Sequence, residues 1–425
     1  VVSASRWQRA RRALSDEGAP ARIARNAASI LAGDAAAEAV NTVLVGRQAL
    51  ALGPAGFGAL SAGQAFVEPF RAVAACGLSM VAVTIASRRA GADGSLVRTL
   101  FALYGLSSAL ASGAAVAAAH ASGRGGSIGL VAGAAAGIFP VVALSAAKLP
   151  AQYEQAMHRM MALPLATSLA RLALVELAIR RSNTALAHQW ALNAAALAGL
   201  IATWGIARRL YPLTGAAQWP IARALLALAW PMAVLDVTVT IYLKAAYLFL
   251  GSAGPAAQGA YAAAERLAQP VTGISAAIVV SALPSVTRAA REGDASALAG
   301  IYRRTITRAT AALVPTITLA AWAAPWALAR FAPAYVPASR PFQILLVGGM
   351  FMFLNQLSSM FIIGIGRVTA LMGVALVNLA VYVALASALV PRFGATGAAT
   401  ATTVMEGVNC AMQLVLVGAL VRARR

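Results

Sequence analysis

Twelve apolar stretches, each near the roughly 20 residues a helix needs to cross a bilayer, leave this chain few folds to choose from. They run 25–46, 57–83, 99–119, 126–147, 160–180, 186–207, 223–250, 258–283, 305–329, 341–363, 368–390 and 394–420. The stretches 99–119 and 341–366 contain no Asp, Glu, Lys or Arg. The period-two alternation of a membrane β-barrel is absent. Apolar residues make up 60% of the 425, and only 11% are charged, where a soluble domain carries about 25%. The mean hydropathy is +0.75. These features predict an all-α polytopic membrane protein. The first stretch has no convincing cleavage site and is expected to be retained as a span rather than removed as a signal peptide.

The charge balance is strongly basic, with 34 Lys and Arg against 13 Asp and Glu, a net of +21. A pI near 11.5 raises nucleic acid as a partner. The basic residues lie between apolar stretches and form no separate domain, so membrane topology accounts for them and no nucleic-acid partner is expected. An even number of spans puts both termini on one side. The N-terminal side holds 23 Lys and Arg, Lys148 counted among them, and the opposite side holds 7. By the positive-inside rule this predicts that both termini are cytoplasmic. The stretch RWQRARRAL, 6–14, reads as a positive-inside anchor in preference to an interfacial amphipathic helix.

Cys76 and Cys410 fall inside apolar stretches and predict two free thiols. His120, His158 and His188 have no metal-ligand spacing. There is no phosphate-binding lysine loop, no HExxH and no GxSxG. GRGGSIG, 123–129, follows no strand. No cofactor, metal or enzymatic activity is expected.

The chain repeats itself. Shifted by 198 residues, Arg25 meets Arg223, Glu38 meets Asp236, Thr42 meets Thr240 and Gly53 meets Gly251. Three residues further, Gly58 meets Gly259, Gln64 meets Glu265, Glu68 meets Gln269 and Pro69 meets Pro270. Six spans separate the copies, so the repeat is parallel. The expected layout is a basic cytoplasmic segment 1–22, an N-lobe 23–207, a linker 208–222, a C-lobe 223–420 and a basic tail 421–425. Two six-helix lobes of this kind enclose a central cleft.

The intramembrane charges follow the repeat. Asp34, Glu38 and Asn41 stand at i, i+4 and i+7 in the first stretch; Gln64, Glu68 and Arg71 do so in the second. The seventh carries Asp236, Thr240 and Lys244, and the eighth Glu265, Arg266, Gln269 and Thr272. Arg171 and Glu176 mark the fifth, and Glu406, Asn409 and Gln413 the twelfth. Each such spacing aligns its residues on one helix face. A charge facing lipid costs about 2.5–3.5 kcal/mol on insertion scales, so these faces are expected to look into a wet cavity. Structural ion pairs are the plainer reading for Glu68 with Arg71, Glu265 with Arg266, and Arg171 with Glu176. Pro69 and Pro270 predict matched kinks, either static or bending during transport. Gly125, Gly129, Gly133 and Gly137 predict a close-packing face.

Four stretches carry a family resemblance. ALGPAGFGALSAGQAF (51–66), GAYAAAERLAQPV (259–271), FAPAYVPASRPFQIL (331–345) and LVPRFGATGAATAT (389–402) resemble the polysaccharide repeat-unit flippases of the multidrug/oligosaccharidyl-lipid/polysaccharide (MOP) exporter superfamily, which are MATE-like in fold. The last is the most specific: Pro391 ends one helix, and Gly394 and Gly397 allow a tight turn into the next. The resemblance covers roughly 22 to 420. It implies export of undecaprenyl-pyrophosphate-linked oligosaccharides for O-antigen, capsule or exopolysaccharide. Arg71, Lys244, Arg266 and Arg171, with Gln64 and Gln269, would then receive pyrophosphate and sugar. Asp34, Glu38, Asn41, Asp236, Glu68 and Glu265 would bind the H⁺ or Na⁺ that drives transport. The implied partners are the lipid-linked oligosaccharide, membrane lipid, and the polysaccharide polymerase and glycosyltransferases. A multidrug exporter of the same superfamily stays open through Asp34. The lipid II flippase, typically with fourteen helices and a basic first helix, fits less well. A non-transporting scaffold of a polysaccharide-synthesis complex is the alternative from another class.

Overall fold

The computed structural model describes residues 19–88, 94–123, 127–154, 160–211, 213–269, 295–364 and 368–422. The basic stretch 6–14, Gly125 and Pro270 lie outside them. The described residues form twelve α-helices and no strand. In chain order they are α1 (Ala19–Ala75), α2 (Leu78–Arg88), α3 (Gly94–Ala121), α4 (Ile128–Ala136), α5 (Ile138–Tyr153), α6 (Ala162–Arg181) and α7 (Ala185–Leu210). Then come α8 (Trp219–Phe249), α9 (255–269), α10 (Ala295–Phe331), α11 (Ser339–Gly364) and α12 (Val368–Arg422). Short 3-10 turns at Leu250–Ala253 and Pro333–Ala338 join some of them.

Eight stretches of the described residues are long and apolar enough to cross a membrane, and two of these, Ala35–Ala86 and Thr369–Leu420, run for 52 residues. Straight, such a helix would reach about 78 Å, more than twice the hydrocarbon thickness of ~30 Å. Each is broken near its middle by a glycine outside helical geometry: Gly53 (φ 65°, ψ 175°) and Gly394 (φ 53°, ψ −128°). Both values are open to glycine and strained for residues with a Cβ. The breaks fall in the LGP and FGATG turns read from the sequence, and Pro54 follows the first directly.

The chain divides into two compact units. One comprises 1–44, 70–182 and 186–233; the other 45–69, 183–185 and 234–425. The units cut across the repeat, since the stretch around the Gly53 break belongs with the C-terminal helices.

In the first unit the breaks have identifiable donors. Asn193 on α7 donates its side-chain amide to the Gly133 carbonyl at 2.6 Å. The Gly137 amide, which would have used that carbonyl in an unbroken helix, instead bonds to Ala134 at 3.1 Å. A side chain inserted into the ladder thus separates α4 from α5. Gly133 and Gly137 do pack closely, as their spacing predicted: a Cβ on Gly137 would lie 2.6 Å from the Asn193 oxygen, and one on Gly133 3.3 Å from Gln189 and Leu186. Gly129 has open space around it. Where α1 gives way to α2, Cys76 and Gly77 take positive φ, and Ser107 on α3 caps the Ala74 carbonyl at 2.8 Å.

The second unit is built around a core containing Tyr242, Tyr247, Tyr261, Phe353 and Tyr382. Here the repeat meets itself. A Cβ on Gly58 would collide with the Pro255 carbonyl oxygen, and one on Gly259 with the Pro54 carbonyl oxygen. Pro54 and Pro255, like Gly58 and Gly259, are 201 residues apart, the offset of the repeat. The two backbones therefore cross reciprocally, each glycine seated on its partner's proline carbonyl. Tyr335 stands beside the crossing, edge-on to Phe57 and donating to the Ala49 carbonyl at 2.9 Å.

Gly58→Val should lower stability by roughly 1–3 kcal/mol through overpacking, read as a fall in Tm of the detergent-purified protein. Gly46→Ala, at an exposed helical position with nothing within 4 Å, should instead raise it by about 0.5–1 kcal/mol.

Candidate substrate and ion sites

The first unit contains a cavity of about 320 Å³ whose lining includes Glu38, Asn41, Lys148, Thr167, Ser168, Arg171 and Thr203. Four helices meet there. Glu38 and Asn41 come from α1, one helical turn apart; Lys148 from α5; Thr167, Ser168 and Arg171 from α6, again on one face; and Thr203 from α7. Pro164 in the first turn of α6 lines it too, a position where the missing N–H costs nothing. The cavity therefore holds two cationic groups, one carboxylate, one amide and three hydroxyls. Thr203 spends its hydrogen on the Gly199 carbonyl at 2.7 Å, leaving its oxygen as an acceptor. Ser168 is buried.

Lys148 is the residue that sequence reading missed. Its place near the end of an apolar stretch put it among the cytoplasmic cations. The structure sets it within α5, facing the same cavity as Arg171. Leu144, which also lines the cavity, lies one turn earlier on the same face of α5.

The second unit holds the other group. Lys244 on α8 reaches Glu265 on α9 at 2.6 Å, and Tyr247 donates to the second carboxylate oxygen at 2.5 Å. The pair is about four-fifths buried, with side-chain exposures of 24% and 19%. Arg266 donates to Gln64 at 3.4 Å, and Gln64 is the repeat partner of Glu265. Glu265 is thus paired chiefly with Lys244, one helix away, rather than with its neighbour Arg266. Tyr247 also stacks edge-on against Tyr261, and Tyr261 meets Thr402 of α12 at 3.2 Å.

The remaining predicted residues are dispersed. Asp236 is exposed on α8, while Thr240 is half-buried. Glu68 and Arg71 are half-buried on α1 but belong to different units. Gln269 is half-buried at the end of α9. Asp34 lies on α1, and its side chain is outside the described residues. Glu176 lies 3.8 Å from Arg180, one turn along α6. Cys76 and Cys410 are free thiols, as expected.

This architecture is that of the MOP-superfamily transporters. A multidrug-resistance MATE transporter in an outward-facing conformation matches with a TM-score of 0.67 at 15% identity, covering 95% of this chain and 96% of that one. An inward-facing MATE structure gives 0.66 at 14%, covering 95% and 94%. A MOP-superfamily transporter from Pyrococcus furiosus, described as having a binding pocket of reverse polarity, gives 0.66 at 15%, covering 95% and 96%. No individually curated protein matches the sequence. The profile of the polysaccharide biosynthesis protein family matches residues 23–289, more than half the chain. The chain belongs to that family.

Lys244→Met should cost about 2–3 kcal/mol, between the values for exposed and buried pairs, because Glu265 loses its main partner. Lys244→Met combined with Glu265→Gln should recover most of that loss, as a double-mutant cycle on Tm will show.

Proposed function

We propose that this protein is an inner-membrane flippase that moves undecaprenyl-pyrophosphate-linked oligosaccharide units to the periplasmic leaflet for surface-polysaccharide synthesis. The observation that carries this reading is the cavity shared by Lys148 and Arg171, with hydroxyls and one amide around them. Two cations against one carboxylate favour a pyrophosphate, and hydroxyl and amide groups suit the sugar beside it. The main anion role goes to Arg171 and Lys148, the two cations that line one cavity; Lys244 and Arg266 lie outside it, against Glu265 and Gln64. Arg71 and Gln269 remain contributors to the pathway. With α9 and α10 as the eighth and ninth crossings, and the double-length helices counted twice, the chain makes twelve crossings with both termini cytoplasmic. Alternating access coupled to H⁺ or Na⁺, through Asp34, Glu38, Asn41, Asp236, Glu68 and Glu265, drives the cycle. No covalent step is required of the protein, so it is a transporter and not an enzyme. The polymerase and glycosyltransferases of the same pathway are its functional neighbours.

A second reading rests on Glu38 and Asn41 in that same cavity, which would suit a cationic drug and make the protein a MATE-type antiporter. One strain separates the two. Deletion should abolish surface polymer and trap lipid-linked units in the inner leaflet. Normal polymer with new sensitivity to cationic drugs overturns the flippase reading. In the complemented strain, Arg171→Ala and Lys148→Ala should each cut export by roughly 10- to 100-fold, the value of a charge-assisted hydrogen bond, with membrane insertion unchanged. Export at the unmutated rate in both variants removes the pyrophosphate assignment.

A further inference from the structure

The connection from α7 to α8 is docked chain. Tyr211 and Leu213 are buried, at 6% and 8% exposure, and hold it to the first unit. Its backbone then lies on the start of α3. A Cβ on Gly94 would collide with the Thr214 backbone, and one on Gly215 would come within 3.3 Å of the Ser95 amide nitrogen. Gly215 takes a φ of 110°, a conformation open to glycine. The Gln218 amide donates to Thr99 Oγ1 at 2.9 Å, and Thr99 donates in turn to the Ser95 carbonyl at 2.6 Å. These contacts bring the start of α8 against the start of α3, both within the first unit.

The docking gathers positive charge. Arg98 lies near the start of α3, Arg223 near the start of α8, and Arg208 and Arg209 in the last turn of α7, which feeds the connection. All four are exposed. No ion pair or hydrogen bond engages them among the described residues. Neither α3 nor α8 has an acidic residue in its first turn, so both helix N-termini add to the positive potential. In sequence, 88–98 and 208–223 hold six arginines against one aspartate, Asp93, which lies outside the described residues. Trp219 stands in this surface, 72% exposed, with Arg223 one turn along the same face of α8. A tryptophan combines an apolar body with a polar N–H tip and settles at the headgroup level of a bilayer. Water alone would solvate the arginines but leave that ring exposed; a lipid surface accommodates both.

We propose that Arg98, Trp219 and Arg223, with Arg208 and Arg209 at the end of α7, form a surface that binds the phosphodiester headgroups of anionic phospholipids. The planar guanidinium fork takes two phosphate oxygens at once, and the indole lies against the ester region beside them. The charges are spread over an open surface, an arrangement that fits several singly charged headgroups of an abundant lipid better than one enclosed pyrophosphate. None of these residues lines the cavity of Arg171 and Lys148, so the two anion sites are separate. Bound lipid fastens the connection onto α3. The flippase reading enters only in placing this face on the cytoplasmic side; the binding itself is measured without transport.

The test is thermal unfolding of the full chain in detergent micelles doped with phosphatidylglycerol or with phosphatidylcholine. Tm should rise with the logarithm of the phosphatidylglycerol fraction and not with phosphatidylcholine, and the rise should shrink as salt is added. Arg98→Gln combined with Arg223→Gln should raise the fraction needed for half the effect by about 25-fold, roughly 5-fold per arginine. Arg392→Gln, at an exposed position of the second unit, should leave it unchanged. An equal response to both lipids overturns the proposal, as does a phosphatidylglycerol response in the double variant that matches the wild type. An arginine-dependent rise that undecaprenyl pyrophosphate produces at a lower fraction than phosphatidylglycerol also overturns it, and assigns the surface to a lipid-linked substrate. Should the double variant not fold, Arg208→Gln with Arg209→Gln decides: a wild-type response there overturns the surface. Failure of the flippase reading in the deletion strain leaves every one of these outcomes as it stands.

Discussion

Within an apolar helix bundle every carboxylate must find a partner, and the arrangement of the second unit follows from how Glu265 does so. Its two oxygens take the Lys244 ammonium and the Tyr247 hydroxyl, both from α8. That fixes α9 against α8 in one register, because sliding either helix by a residue would leave a charge unpaired. Tyr247 in turn packs on Tyr261, and Tyr261 reaches α12 through Thr402. The polar contacts contribute specificity more than net stability. The apolar core around them, with Tyr261, Tyr382 and Phe353 almost fully buried, supplies the packing.

Three carboxylates in this fold meet three different environments. Glu265 has a cation, Glu406 has amides, and Glu38 faces a cavity. The first ties two helices together, the second is enclosed by neutral donors, and the third opens onto the space of the cavity. The distinction cannot be made from residue type, since all three are glutamates inside apolar helices. It follows from what the neighbouring helices bring to each.

Close backbone approach is the second organising constraint. Gly58 and Gly259 each sit against the proline carbonyl of the other repeat, so residues 45–69 pack with the C-terminal helices rather than with the helices around them in sequence. The same economy of side chain recurs at Gly397, where a Cβ would strike the Leu389 carbonyl, and at Gly348 beside Thr403. Likeness to MATE structures at about 15% identity over 95% of the chain fits this picture. At that identity what the chains share is the fold.

The amino-acid order by itself determined the membrane class, the all-helical architecture, the repeat and the turns at Gly53 and Gly394. Each of these depends on local properties: apolar length, periodicity, and the conformational freedom of glycine beside proline. It also marked most of the intramembrane polar residues, because a charge in an apolar stretch is visible without coordinates. Only the tertiary structure decided their partners. It drew Lys148 from a presumed cytoplasmic connection into the cavity with Arg171 and Glu38, paired Glu265 with Lys244, and set Asn355 against Glu406, 51 residues away. Helical spacing reports which residues share a face. It carries no information on which other helix that face meets, and in a bundle held together by packing the meeting is what assigns each charge its role.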